Sequence, residues 1–330
     1  MRKYFTVLLI VAISTALVGC SKRTLFDKLI SLERGSSHLI VNKQTLGFGE
    51  VVYLTNEKHK NRGTIVMLHG FGANKDTWAR FARNLGEEYR LIIPDLPGHG
   101  ESTQDLSLNY DIEEQAKRLN EFLLAVNAEK IHLVANSMGG AIALRFAYLF
   151  PQSVKSLTLI DSLGAIKTPS AMDELVKTSG KNPMTDIKNV SDYKAMMNFA
   201  MVDPPYIPGF LVDVLAEEKI KRSAIEQKIL RDIRIDADQT AILPEIHVPT
   251  LIIWGAQDKV LHVDDAEYFH EKIRGSRKVL IQGTGHVPMV EKPKETALLF
   301  VSFLKEVLAK ESDQARTGAT TILPAVAGAP

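Results

Sequence analysis

Three residues far apart in the chain have the side chains of a proton relay: Ser137, Asp258 and His286. Ser137 sits in Leu133-Val134-Ala135-Asn136-Ser137-Met138-Gly139-Gly140-Ala141, where an apolar run ends and small residues crowd around one hydroxyl. A serine becomes a nucleophile only when a base takes its proton. Among nine histidines the best placed is His286, in Gly283-Thr284-Gly285-His286, between an apparent strand and a helix; His69, His99 and His262 are its rivals. An imidazole acting as base needs a carboxylate to fix its tautomer and to stabilise its charged form. Asp258 follows the apolar run ending at Trp254 and fits that post, with Asp161, which also follows a strand-like run, as the alternative. Asp95 reads instead as a turn-former. The order serine, aspartate, histidine along the chain is one of three orders in which such triads occur. A fourth element is His69-Gly70-Phe71-Gly72, a glycine-supported loop after an early strand. The backbone amides of Phe71 and Met138 would together supply two donors to an oxyanion.

Such groups must be carried by elements that bring them to one edge. Short β-rich runs at 50–55, 64–69, 90–93, 131–135, 156–160, 250–254 and 278–281 alternate with helical patterns at 112–126, 139–149, 264–274 and 293–308. That alternation predicts an α/β fold, a mostly parallel sheet flanked by helices. The central strands are continuous apolar runs, as strands covered on both faces must be. From 162 to 236 no strand is evident, and this segment is expected to be an inserted helical cap over a core of residues 38–161 and 237–310. Five of the nine methionines fall within it. Flexible thioethers and aromatics suit an adaptable acyl pocket, so Met196, Met197, Phe199, Tyr206 and Phe210 are the candidate substrate-binding residues.

In the predicted frame, Ser137 occupies a sharp turn from strand to helix, where bulky neighbours would collide. The hydroxyl then projects over the carboxyl edge of the sheet, where ligands of such sheets bind. Ala135 stands where the G-x-S-x-G pattern has its first glycine.

The remaining composition bounds the partners. A chain of 330 residues, 45% hydrophobic and 24% charged, can bury a sizeable core, and 40 Lys and Arg against 39 Asp and Glu leave a formal charge of +1. Nothing in that balance favours nucleic acid or another polyanion. The first nineteen residues differ from the rest: Arg2 and Lys3 precede an almost wholly apolar stretch that closes on Leu17-Val18-Gly19-Cys20. This has the form of an export signal and is too short for a transmembrane helix. It resembles the lipobox of bacterial lipoproteins, which implies cleavage before Cys20 and lipidation of this single cysteine. Ser21 after it implies the outer membrane where the envelope has two. Residues 20–37 form a connector whose Leu25, Phe26, Leu29, Ile30 and Leu32 would share one helical face, against lipid or against the domain itself. Residues 311–330 read as a disordered tail.

From about residue 47 to 308 the chain resembles the α/β-hydrolase superfamily, whose marks are His69-Gly70-Phe71-Gly72, Asp95-Leu96-Pro97-Gly98-His99-Gly100, Ser137-Met138-Gly139-Gly140 and Gly285-His286. The stretch Gly70-Phe71-Gly72-Ala73-Asn74-Lys75-Asp76-Thr77-Trp78 is similar to bacterial cold-active lipases and monoacylglycerol-lipase-like hydrolases. The resemblance implies an ester hydrolase with Ser137 as nucleophile, Asp258 as acid and His286 as base, needing no metal or cofactor. The expected protein is a monomeric, lipid-anchored lipase or esterase acting on acylglycerols or similar esters at the cell envelope. The alternatives are a hydrolase of carbon–carbon bonds in ring-cleavage products, which shares the triad, and a non-catalytic binding protein on the same fold.

Overall fold

The computed structural model describes residues 22–56 and 62–320, with side chains to Asp313; Cys20 and the signal segment lie outside the described residues. Eight strands form one sheet: β1 Ile40–Leu46, β2 Gly49–Thr55, β3 Thr64–Leu68, β4 Arg90–Pro94, β5 Ile131–Ser137, β6 Val154–Ser162, β7 Thr250–Gly255 and β8 Arg277–Ile281. Their order is β1-β2-β4-β3-β5-β6-β7-β8. The pairs β1·β2 and β2·β4 are antiparallel, and every pair from β4 to β8 is parallel. The chain leaves β3 toward β4 on one side and returns to β5 on the other, so the crevice beyond the carboxyl ends of β3 and β5 is the switch point where such sheets bind ligands.

The helices are α1 Lys22–Ser36, α2 Ala79–Ala82, α3 Ile112–Ala125, α4 Met138–Leu149, α5 Ala171–Ser179, α6 Val190–Ala200, α7 Gly209–Lys221, α8 Ser223–Ile233, α9 Asp265–Lys272, α10 Pro288–Glu291 and α11 Pro293–Thr320. Alternate residues of each central strand enter two cores. Val66, Leu68, Leu133 and Trp254 pack under α3, α4 and α9, while Ile65, Met67, Val134 and Ile253 pack under Trp78, Phe81, Phe300 and Leu304. Burial on both faces explains why these strands read as unbroken apolar runs.

Between β6 and β7 the structure places only helices, α5 to α8 and one short 3-10 turn. Helix α8 docks by Ile225, Ile229 and Ile233, an i, i+4, i+8 stripe that joins the core beneath it. Its Asp232 accepts the Tyr110 N–H at 2.8 Å, and Asp236 accepts the first N–H groups of α3, from Ile112 and Glu113, at 2.8 and 3.0 Å. A carboxylate at a helix amino terminus satisfies donors that the helix itself cannot.

Two elements differ from the expectation. Strand β1 carried no signal because it is an edge strand, exposed along most of its length, and so needs no alternation of apolar residues. Helix α11 runs to Thr320, past residue 311 where a disordered tail was expected; Glu311, Gln314, Ala315 and Arg316 are helix-compatible and prolong an already nucleated helix. The connector is helical, and it is the ends of α1 that make its ionic contacts. Lys22 and Arg23 reach Asp213 and Glu218 of α7, both at 2.7 Å, and Arg34 grips Asp76 through two bonds of 2.6 and 2.7 Å. Leu32 remains 68% exposed.

His132 lies buried in β5, its Nδ1 2.8 Å from Ser156 Oγ and its Nε2 without a partner among the described residues. Burial, with Lys155 nearby, pushes its pKa down to about 4. The unfolded chain therefore takes up the proton first. The stabilisation is complete above the ordinary histidine value of ~6.5 and is lost as pH falls from there toward 4, by on the order of 3 kcal/mol. Urea unfolding at pH 7 and pH 4.5 should show His132→Gln losing less stability than the wild type on acidification; an equal loss would contradict this assignment.

Candidate active site

Strand β5 ends at Ser137 and α4 starts at Met138, with no residue between them. Ser137 takes φ 53° and ψ −123°, a conformation costly for a residue with a Cβ and typical of functional turns. The glycines that follow answer for their positions. A Cβ on Gly139 would fall 2.6 Å from the His69 carbonyl oxygen and 2.7 Å from that of Leu68, and one on Gly140 would strike Ser162 at 2.0 Å. Strands β3 and β6 thus approach the first turn of α4 so closely that only glycine fits. At position 135 the sheet tolerates a methyl, and the turn forms without the first glycine of the pattern.

The loop after β8 brings His286 to this edge. Its ring Nδ1 lies 2.8 Å from Asp258 Oδ2, both side chains being buried. Asp258 follows β7, and its other oxygen accepts the N–H groups of Val260 and Leu261 at 2.7 and 3.1 Å. With one oxygen held by backbone, the other is aimed at the imidazole. The His286 carbonyl accepts from Asn136 Nδ2 at 3.1 Å, tying the loop to the residue before the serine. No hydrogen bond among the described residues engages the Ser137 hydroxyl or His286 Nε2, the one between them included. Bonds between a nucleophile and its base commonly tighten only in the substrate complex.

The rival histidines are otherwise engaged. His69 Nδ1 donates to the Gly70 carbonyl at 2.8 Å while Nε2 accepts the Leu96 N–H at 3.0 Å, and burial lowers its pKa. His99 is buried beside it and held well below the ordinary value by desolvation. His262 accepts the Asp264 N–H.

Phe71 and Met138 flank the serine on the β3 loop and at the amino terminus of α4. The Met138 N–H belongs to a first helical turn, whose donors lack intrahelical acceptors and favour anionic charge. The loop carrying Phe71 is braced from below: buried Lys75 bonds Asp95 through both its backbone N–H and its Nζ, each at 2.7 Å, and Asp95 also accepts the Glu101 N–H at 2.8 Å. Asp95 is therefore more than a turn-former, since it locks the two loops together. From above, cap residue Lys219 lies 5.4 Å from the Phe71 ring centroid and pairs with buried Glu226 at 2.8 Å.

Cap helix α6 reaches the same place. Its last residue, Ala200, accepts the His286 N–H at 2.7 Å, and Met196, Met197 and Phe199 on it are half-buried, as is Phe210 of α7. Tyr206 is 89% exposed: two prolines before it and one shortly after hold its segment outside any helix. Two contributors escaped the sequence reading. Asn136 links strand and histidine loop, and Glu291 accepts the Gly285 N–H at 2.7 Å with one oxygen and those of Val202 and Asp203 at 2.7 and 2.9 Å with the other. Glu291 lies in no motif; Asn136 lies inside that of Ser137, at a position the pattern leaves open, and carries a polar side chain at the end of an apolar run.

The fold, with a serine on a strained strand-to-helix turn and a histidine bonded to an aspartate at the same sheet edge, has the form of a serine hydrolase. A family model described as the alpha/beta hydrolase fold matches residues 63–190. Lipase 1 of Psychrobacter immobilis is 36% identical over 301 residues, 88% of this chain and 94% of its own. A monoacylglycerol lipase of Bos taurus is 30% identical over 289 residues, 80% of this chain and 85% of its own. Among solved structures, a membrane phospholipase A described as a bacterial virulence factor superposes with a TM-score of 0.84 at 34% identity, covering 93% of this chain and 99% of its own. The chain belongs to the alpha/beta hydrolase fold family, and within it to the lipases and esterases.

Proposed function

We propose that the protein is a lipid-anchored lipase of the cell envelope that hydrolyses acylglycerols or related lipid esters, with Ser137, His286 and Asp258 as its triad. The observation that carries the triad is the 2.8 Å bond from His286 Nδ1 to Asp258 beside the strained turn of Ser137. Ser137 Oγ attacks the ester carbonyl carbon as His286 Nε2 takes its proton, and the amides of Phe71 and Met138 receive the oxyanion. Collapse breaks the carbon–oxygen bond, and His286 gives the proton to the departing alcohol. Water, deprotonated by the same ring, then attacks the acyl-enzyme and releases the acid and Ser137. Each oxyanion donor contributes roughly 3 kcal/mol to such a transition state. The acyl chain is assigned to the underside of the cap at Met196, Met197, Phe199 and Phe210; Tyr206 is left out because of its exposure.

The relatives named for lipid substrates support this class, and the lipobox-like segment ending at Cys20 supports the anchor. No helix among the described residues is long and apolar enough to cross a membrane. An acyl chain contributes about 0.8 kcal/mol per buried methylene, so several chains on Cys20 would hold the enzyme at a bilayer. The test is a series of p-nitrophenyl esters of graded acyl length beside a ring-cleavage dienone, with labelled palmitate for the anchor. The expected result is ester hydrolysis with kcat/KM rising with chain length, and label that disappears in Cys20→Ala. Cleavage of the dienone alone would favour the carbon–carbon hydrolase; no turnover of either would favour a binding protein.

A further inference from the structure

The two aspartates that competed for the role of triad acid are neighbours in the fold. Asp161, near the end of β6, accepts the Gly255 N–H through Oδ1 at 2.8 Å, and its carboxylate, that of Asp258 and the His286 ring each offer an atom within 4.8 Å of the others. Asp161 has φ 43°, a second strained residue beside that of Ser137, and two residues on the Leu163 N–H bonds the Ser137 carbonyl at 3.0 Å. Its side chain is wholly buried, and Oδ2 receives no hydrogen bond from the described residues. A carboxylate with one orphaned oxygen against a second carboxylate is a poor anion, for lack of both water and countercharge. A carboxylic acid at the same place is satisfied, because its hydroxyl has an acceptor at hand.

We propose that Asp161 is a positioning residue that remains a neutral carboxylic acid and donates its Oδ2 hydrogen to the Asp258 carboxylate, holding that group in place for His286. The proposal rests on the triad assigned above. Burial first, then the charge of Asp258, push the Asp161 carboxyl well above the usual carboxylate range; the Gly255 N–H opposes this and Glu291 adds to it. The charged or titratable groups facing it are thus Asp258, Glu291 and His286. The pair holds one proton and one negative charge. When His286 becomes an imidazolium it meets a single, partly shared charge rather than two. A base facing two full carboxylates would hold its proton too tightly to accept another from Ser137 near neutrality.

Asp161→Asn keeps an oxygen for the Gly255 N–H and offers an N–H to Asp258. Its kcat/KM should stay within about threefold of wild type, and the acidic limb of its pH profile should not move. Asp161→Ala removes the donor; kcat should fall by roughly 10- to 100-fold at little-changed KM, with the acidic limb displaced to higher pH. Infrared difference spectra of wild type minus Asp161→Asn at neutral pH should show the carbonyl stretch of a protonated carboxyl group. Activity loss in Asp161→Asn as deep as that in Asp258→Asn, wild-type kinetics in Asp161→Ala, or no carboxylic band would each overturn the proposal. A wild type that hydrolyses no ester would defeat the functional reading instead, and the infrared band would still report on Asp161.

Discussion

Ser137→Ala is expected to lower kcat for ester hydrolysis by about 10⁶-fold while the protein stays folded. Removing the hydroxyl abolishes the proposed covalent step, and the remaining groups would not replace it, since in the proposed triad His286 and Asp258 act on the substrate only through that oxygen. What survives is the modest acceleration that the oxyanion donors and binding can give to attack by water. The fold has little reason to suffer. The Ser137 hydroxyl makes no hydrogen bond among the described residues, and alanine accepts the same positive φ at similar cost. Steady-state hydrolysis of a p-nitrophenyl ester, with thermal melting alongside, checks both halves. A loss of less than tenfold would show that another residue is the nucleophile.

Asp258→Asn is expected to cost about 10⁴-fold in kcat with KM nearly unchanged. The geometry makes the sign unambiguous. Asp258 Oδ1 accepts the Val260 and Leu261 N–H groups, so an asparagine would keep its carbonyl oxygen there and turn its NH₂ toward His286. That amide can only donate to Nδ1, which forces the proton onto Nε2. In that tautomer the ring cannot take the proton of Ser137. Full activity in Asp258→Asn would mean that the ring is oriented by some other group.

How much of this was legible in the sequence depends on how local each signal is. The six inner strands, β2 to β7, were visible because burial makes each a largely continuous apolar run, β8 at the far edge by its Val279-Leu280-Ile281, and α3, α4, α9 and α11 because their apolar residues repeat at helical spacing. Strand β1, pairing only at an edge, left no such trace. The three residues proposed as the triad were legible as candidates because each lies at or just past the end of a strand, with glycines around Ser137 and His286, a pattern that chain order arranges along one sheet edge. What the sequence could not reveal was contact. Nothing in Asp161 and Asp258, 97 residues apart, says that they meet; Glu291 lies in no recognisable motif, and Asn136 occupies a position that the serine motif leaves open. Tyr206 misled because an aromatic in a proline-rich turn has the composition of a binding residue without the helix that would turn it inward. Lys75 and Asp95 likewise sit in stretches that read as loop, and only the fold shows that they brace the loop of Phe71.

The most direct test is to treat the wild-type protein at neutral pH with a fluorophosphonate and to map the adduct by mass spectrometry, alongside His286→Ala. If a hydroxyl activated by its own imidazole is the heart of this molecule, one equivalent of label attaches to Ser137 and almost none to the histidine variant. Label on a different serine, or labelling of Ser137 that persists undiminished without His286, would contradict that claim.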